Sequence, residues 1–314
     1  MSDKSGIQWC DATWTVVTGC TKISPACAYC YIQNTPPFRK EGRRFEKGHI
    51  PVRLHPERLD WPLKWRKPRR IFVTSLGDLF HEDIDDKFIS KVFAMMDLTR
   101  QHTYQVLTKR ADRMRELLND ENFQFHVGWF KSQAVREFGL SEVEIHPWPL
   151  RNVWLGVSVE NQCMADERIP LLLQTPAAVR FLSCEPLLGL LDLRRICRDE
   201  RNVLGWNALS GDIACDSITT QRIDWVIAGG ESGGPEQRRL VEQRSECVSY
   251  DRMDGSRYQQ IWKPKPQALE WARSLRDQCV AAGVPFFFKQ WGGPTPKSGG
   301  RLLDGRTWDE FPAK

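Results

Sequence analysis

The sequence predicts an α/β protein: a parallel sheet of about six to seven strands, rolled into a partial or full barrel. Two observations carry this reading. Seven short runs rich in Val, Ile, Phe and Trp recur along the chain, with amphipathic stretches between several of them. Six of the runs are followed at once by a polar cluster. Runs of this length are too short for helices, and strands alternating with helices argue for parallel pairing.

The runs are ATWTVV (12–17), RIFVTS (70–75), TYQVLT (103–108), NVWLGVS (152–158), VRFLSC (179–184), DWVIAG (224–229) and VPFFFK (284–289). Helical patterns cover 85–100, KRADRMRELL (109–118) with the segment after it, and 265–283. The last has Pro266 near its start and Gly283 where a C-terminal cap belongs. Residues 119–150, 192–222 (with Cys197 and Cys215) and 236–264 break the rhythm and read as insertions, which often cover a site. No repeat or low-complexity linker divides the chain, so 1–314 reads as a single domain.

At 314 residues, 41% hydrophobic and 27% charged, the chain has the make-up of an ordinary globule with a sizeable core. No apolar run reaches the roughly 18 to 20 residues of a membrane span. The N-terminal MSDKSGIQW lacks the basic-then-apolar design of a secretory signal. A cytoplasmic location is expected, where ten cysteines are poor candidates for disulfides.

The net charge of +5 is unevenly placed. From Arg39 to Arg70 twelve Lys/Arg face four Asp/Glu, a local +8, and Phe38, Phe45, Trp61 and Trp65 lie in or beside that stretch. Basic residues interleaved with aromatics suit phosphates and unstacked bases. The stretch is therefore a candidate nucleic-acid contact, against the plainer reading of a solvated loop whose aromatics pack inward.

Polar residues cluster just past the strands: SLGDLFHE, TKR, SVEN, CEPLLG, GGESGG and KQWGG. In parallel α/β folds the loops at the C-terminal strand ends build the active face. Any one of these residues serves equally as a helix cap. Six clusters in series point to a site, and the segment GCTKISPACAYCY (19–31) would open onto the same face.

That segment holds Cys20, Cys27 and Cys30, with Cys10 upstream. Zinc takes four ligands in a closed tetrahedron, usually as two closely spaced pairs, and only Cys27 and Cys30 have that spacing. Three thiolates above a barrel suit a four-iron cluster with one iron open. A zinc site completed by Cys10 is the alternative. The spacings of the remaining cysteines match no common metal box, and they read mostly as small core residues.

CTKISPACAYC resembles the cluster loop of the radical S-adenosylmethionine superfamily, whose pattern ends in Cys-x-aromatic-Cys. Six residues separate Cys20 from Cys27, where three are usual in that superfamily. Together with GIQWCDATW, VTGCTKISPACAYCY, TSLGDLFHE, LTKR, LGVSVEN, FLSCEPLLG, VIAGGESG and FFFKQWGG, it resembles a phage and prophage family with this variant loop. Cys10 stands where that family would carry threonine. The resemblance implies a TIM-like barrel in a bacterial or phage-infected cytoplasm. It also implies a 4Fe–4S cluster on Cys20, Cys27 and Cys30, whose open iron chelates S-adenosylmethionine and whose electron releases a 5′-deoxyadenosyl radical.

The superfamily's Gly-Gly-Glu after the second strand is replaced by SLGD, which makes Ser75 and Asp78 candidates for the methionyl amino group. Lys109 or Arg110 would meet the carboxylate, and Ser158, Glu160 and Asn161 the ribose. Gly229 and Gly230 would let the backbone approach adenine or substrate. Glu231, Glu185 and Lys289 would face the substrate, with Cys184 and Tyr31 as candidate hydrogen donors. The implied partners are DNA and an electron donor such as a flavodoxin or ferredoxin. The implied reaction is nucleobase modification, with thymidine hypermodification by an isomerase moving an amino-acid group from nitrogen to carbon linkage as one concrete form. Photolesion repair, and a non-catalytic zinc-stabilised nucleic-acid-binding protein, are the alternatives.

Overall fold

Each of the seven apolar runs contributes a strand to one all-parallel sheet. The structure is a computed structural model and describes residues 5–140, 146–197, 206–211, 221–251 and 255–313. In chain order the strands are β1 (Ala12–Trp14), β2 (Val17–Thr21), β3 (His49–Leu54), β4 (Arg70–Val73), β5 (Thr103–Thr108) and β6 (Val153–Ser158). There follow β7 (Val179–Cys184), β8 (Trp225–Gly229), β9 (Val241–Asp251), β10 (Gly255–Pro264) and β11 (Phe286–Gln290). The helices are α1 (Pro36–Lys40), α2 (Asp86–Leu98), α3 (Ala111–Asn119), α4 (Glu121–Phe138), α5 (Gln162–Leu173) and α6 (Pro266–Ala282).

The main sheet runs β1-β4-β5-β6-β7-β8-β11, in sequence order throughout. Its edges β1 and β11 do not pair with each other, so the curled sheet is a half-barrel with its helices outside. Local chemistry sets the helix ends. Asp85 and Asn161 accept the Phe88 and Met164 N–H groups as N-caps of α2 and α5. α6 starts on Pro266 and stops at Gly283, whose φ of +64° is the left-handed cap expected of glycine.

Strand alternation divides the core into two layers. Ile71, Val73, Val106, Leu155, Leu182 and Val226 face the helices. Phe72, Trp154, Phe181, Trp225 and Phe287 face the concave side, where Trp9 and Phe311 join them. Trp225 lies 5.9 Å from Trp154 and 5.7 Å from Phe181, ring centre to ring centre. This aromatic layer fills the concave face toward the N-terminal strand ends. Polar residues are left at the C-terminal mouth.

Three expectations are corrected. The run 12–17 is not one strand: the chain leaves the sheet after Trp14, and β2 turns to pair antiparallel with β3. Cys20 therefore sits on β2, and only Cys27 and Cys30 lie in the following loop. Gly19, at φ +98°, makes the turn of register possible, since a Cβ there would stand 2.2 Å from the Pro51 carbonyl oxygen.

Residues 119–150 contain α4, which packs on α2 in the outer layer through Phe93 and Phe123 and through a buried Lys131–Asp97 pair at 2.6 Å. Residues 236–264 form a short 3-10 turn and the β9–β10 hairpin. Much of 192–222, including Cys215, lies outside the described residues. Among the described residues no helix is long and apolar enough to cross a membrane.

The basic stretch also differs from its reading. Phe38 and Trp65 are buried, and neither is a platform for bases. Arg43 donates to Thr18 and the Pro51 carbonyl, Arg53 pairs with Glu41, and Arg70 pairs with Asp11. Arg39, Lys40, Arg44 and Lys47 are exposed around α1, which adjoins the cysteines; Arg66 and Lys67 are exposed ahead of β4, at the opposite end of the sheet.

Candidate functional site

Cys20 and the loop after it lie across the C-terminal mouth, tied to the ends of four sheet strands. Beyond β4, the Ser75 carbonyl accepts the Tyr31 hydroxyl at 2.5 Å. Beyond β5, Arg110 Nη1 reaches Cys20 Sγ at 3.8 Å. Beyond β6, Glu160 Oε1 accepts the Ala26 N–H at 3.0 Å. Beyond β8, Glu231 holds Arg238 at 2.8 Å, and Arg238 donates to the Pro25 carbonyl at 3.0 Å with its guanidinium 5.1 Å from the Tyr29 ring centre. Arg168 and Arg238 carried no sequence motif, and Ser24 and Thr74 were not singled out within theirs; contacts between distant residues reveal all four.

The thiols differ in electrostatics. Burial pushes Cys20 up to about 12 and raises Cys30. Burial also opposes ionisation of Cys27, but Lys109 and hydrogen bonds from the backbone at Ile23 and from Ser24 outweigh it, and its net shift is downward. Cys10 does not join them. It packs with Trp9 and Phe72 in the concave layer, its thiol 3.1 Å from Ser5 Oγ, and burial pushes it up to about 11.

Several candidates are engaged within the protein. Asp78 accepts from Phe80 N at 3.0 Å, Thr108 Oγ1 at 2.7 Å, Lys109 N at 3.1 Å and Arg110 Nη1 at 3.2 Å. Both its oxygens thus join β4 to β5, and none is left over for a methionyl amino group. Glu160 is fully buried, takes Ala26 N–H and the Ser24 hydroxyl from the loop, and pairs with Arg168 at 3.2 Å. It faces the loop. Asn161 spends its side-chain oxygen capping α5. Ser158 takes the Lys109 ammonium at 3.1 Å and gives its carbonyl to Arg168.

Gly229 and Gly230 are glycines for a reason internal to the fold. A Cβ on Gly229 would meet Glu185 Oε1 at 2.7 Å, and one on Gly230 would meet the Trp291 carbonyl at 2.1 Å. These close approaches are to the residues that directly follow β7 and β11. Cys184 is corrected as well: alternation along β7 turns it into the helix-side core, fully buried, with its ionisation strongly suppressed by burial. The thiol thus lies on the helix side of the sheet, not the concave side. Glu185 and Lys289 form a 3.0 Å pair at the mouth, and the Tyr31 ring is half exposed there.

Two unpartnered buried atoms test whether a cluster and its cofactor fit. Arg110 Nη2 has no hydrogen-bond partner, although the same guanidinium touches Cys20 and pairs with Asp78 and Glu82. Thr74 Oγ1, at a φ of +58° that a β-branched residue rarely adopts, is also unpartnered. An unused donor on the guanidinium beside the Cys20 thiol suits an anionic iron–sulfur cluster and a carboxylate-bearing cofactor. Zinc fits less well, since its tetrahedron holds sulfurs about 3.8 Å apart. Among the described residues, the group of three potential ligands whose atoms lie within 4.8 Å of one another is His49, His81 and Asp83, not the cysteines. His81 Nδ1 there accepts the Asp83 N–H at 3.1 Å and its Nε2 meets Thr21 Oγ1 at 2.9 Å, so that group forms a hydrogen-bond chain with His49 through Thr21.

The chain belongs to the family described as "Protein of unknown function (DUF5131)", whose family model matches residues 4–249 and 262–312. The residues left out, 250–261, include the end of β9 and most of β10. No curated protein matches the chain. Among solved structures it is similar to a cysteine-to-serine mutant of spore photoproduct lyase, at 12% identity and a TM-score of 0.46, over 92% of this chain and 80% of that one. It is similar also to spore photoproduct lyase complexed with dinucleoside spore photoproduct, at 11% identity and a TM-score of 0.45, over 88% and 75%.

Proposed function

We propose that the protein is a radical S-adenosylmethionine enzyme that modifies a nucleobase in DNA, with Cys20, Cys27 and Cys30 as thiolate ligands of a 4Fe–4S cluster. The observation that carries this is a set of three thiols, Cys20 on β2 and Cys27 and Cys30 in the loop after it, at the mouth of a parallel half-barrel, with Cys20 touched by a buried guanidinium that has an unused nitrogen. When bound, the cluster supplies one-electron cleavage of S-adenosylmethionine and so a radical able to abstract hydrogen. Lys109 and Arg110 bring positive charge to the anionic cluster and the cofactor carboxylate. The Glu185–Lys289 pair offers both charge signs to a polar substituent on the base. The aromatic floor keeps water out from below.

DNA would meet the exposed Arg39, Lys40, Arg44 and Lys47 beside the mouth, the target base being flipped out or single-stranded. The reaction proposed first is isomerisation in thymidine hypermodification, an amino-acid group passing from nitrogen to carbon linkage, which needs no net oxidant. A flavodoxin- or ferredoxin-type donor would reduce the cluster.

The test is anaerobic purification and reconstitution in a reducing buffer, with iron and sulfide analysis. 5′-Deoxyadenosine is then assayed with hypermodified DNA, ultraviolet-irradiated DNA and unmodified DNA. A product of unchanged mass from hypermodified DNA supports isomerisation, whereas restored thymine from irradiated DNA would make the enzyme a photolesion lyase. Bound zinc without iron, or no deoxyadenosine under any condition, would overturn the proposal.

A further inference from the structure

The segment between Cys20 and Cys30 has little core of its own. Ala26 is its one buried residue, while Ile23 and Tyr29 are about half exposed. Nevertheless its turns are closed by backbone bonds: Cys27 N to the Ser24 carbonyl at 2.9 Å, Ala28 N to the Pro25 carbonyl at 3.2 Å and Cys30 N to the Cys27 carbonyl at 3.2 Å. The first two of these turns start at Ser24 and Pro25, among the six residues that separate Cys20 from Cys27. That stretch is where Glu160 takes hold.

Glu160 comes from the far end of β6 and is fully buried, as is Arg168, with which it pairs at 3.2 Å. Arg168 is fixed in turn by the Ser158 carbonyl at 2.8 Å. A carboxylate with no exposure is retained at a desolvation cost unless its oxygens are engaged. Here one oxygen goes to α5 and the other to the Ala26 N–H, with the Ser24 hydroxyl adding a further bond.

We propose that Glu160 is a positioning residue that templates the cysteine loop, holding the Ser24–Ala26 turn so that Cys27 and Cys30 are presented together before any metal arrives. The inference rests on reading Cys20, Cys27 and Cys30 as ligands, but the template acts on the protein without metal. Arg238 holds the outer side of the same turn, through the Pro25 carbonyl and the Tyr29 ring.

Two variants test this. Glu160→Asp keeps the charge opposite Arg168 but draws the acceptor back from Ala26. Glu160→Met combined with Arg168→Met replaces the buried pair by apolar side chains, an exchange that often leaves stability unchanged. Amide hydrogen exchange is read on the metal-free full chain, and iron retention under a chelator on the reconstituted protein. Each folded variant should exchange at Ala26 and Cys27 about tenfold faster or more, with wild-type exchange in β6 and α5. Reconstituted variants should lose iron severalfold faster than wild type. If the double variant does not fold, Glu160→Asp decides. Wild-type exchange at Ala26 and Cys27 in a folded variant would overturn the template. Wild-type protein that binds no iron and sulfide would instead overturn the proposed function, leaving the exchange measurement to judge Glu160 by itself.

Discussion

Asp78 offers a sharp separation between a ligand and a structural carboxylate, because its four partners are all within the protein. Asp78→Asn keeps the shape, removes the charge opposite Arg110, and turns an amide NH2 toward groups that are themselves donors. Arg110 and Asp78 side chains are each only 7% exposed, so the pair is little screened by water. Breaking one partner of a buried pair typically costs about 3 to 5 kcal/mol. The remaining Arg110–Glu82 contact, with Glu82 exposed, places the expected loss near the lower figure. Unfolding entropy of about 2.1 cal/mol/K per residue near 60 °C amounts to about 0.66 kcal/mol/K over 314 residues. The Tm of the metal-free protein should therefore fall by about 5 °C. Calorimetry on metal-free wild type and variant measures this, with cofactor titration of the reconstituted proteins alongside. An unchanged Tm with weakened cofactor binding would refute the structural role and return Asp78 to the cofactor.

Cys20→Ala, Cys27→Ala and Cys30→Ala should each abolish stable iron binding and adenosylmethionine cleavage, whereas Cys10→Ala keeps both; iron and sulfide per chain decide, and loss of iron in Cys10→Ala alone would show the ligand set to be wrong. Neutralising Arg39, Lys40, Arg44 and Lys47 together should weaken DNA binding and reduce the log–log salt slope by close to one unit per lost phosphate contact. The same change at Arg66 and Lys67, at the other end of the sheet, should leave the slope alone; equal effects in the two sets would make the contact nonspecific. Cys184→Ala should retain 5′-deoxyadenosine and product formation at matched cluster content, since the thiol is sealed in the core; product loss with normal cofactor cleavage would restore Cys184 as hydrogen donor.

The fold was legible because its signal is local. Seven apolar runs and the polar residues after them follow from the two-sided burial of parallel strands, and each run became a strand of the main sheet. The end of α6 could be read from Gly283 alone. The break after Trp14 could not be. ATWTVV is a nearly continuous apolar run, and its division into β1 and β2 depends on Gly19 packing against the Pro51 carbonyl, more than thirty residues away. The basic stretch shows a related limit. Charge counted along a chain does not say which guanidinium groups find carbonyls and carboxylates once it folds. Arg43, Arg53 and Arg70 do, whereas Arg44 and Lys47 stay exposed.

The site shows the same limit at the level of single side chains. Position past a strand end brought Asp78, Lys109, Arg110, Glu160 and Glu231 to the mouth, and a residue there has two audiences: a bound molecule, or the loop that covers it. A six-residue spacing between Cys20 and Cys27 tilts the balance toward the loop, since the added turn has little apolar surface with which to fix itself. Charged groups supply what packing does not. Glu160 holds the turn from inside, the Glu231–Arg238 pair from outside, and Asp78 steadies Arg110 where it meets Cys20. Among the groups left with capacity to spare, Arg110 Nη2 and Thr74 Oγ1 lie past the ends of β5 and β4 and are ones to test against a bound cofactor. Neither stands out in the sequence, because an unused hydrogen bond is a property of the surroundings and not of the residue type.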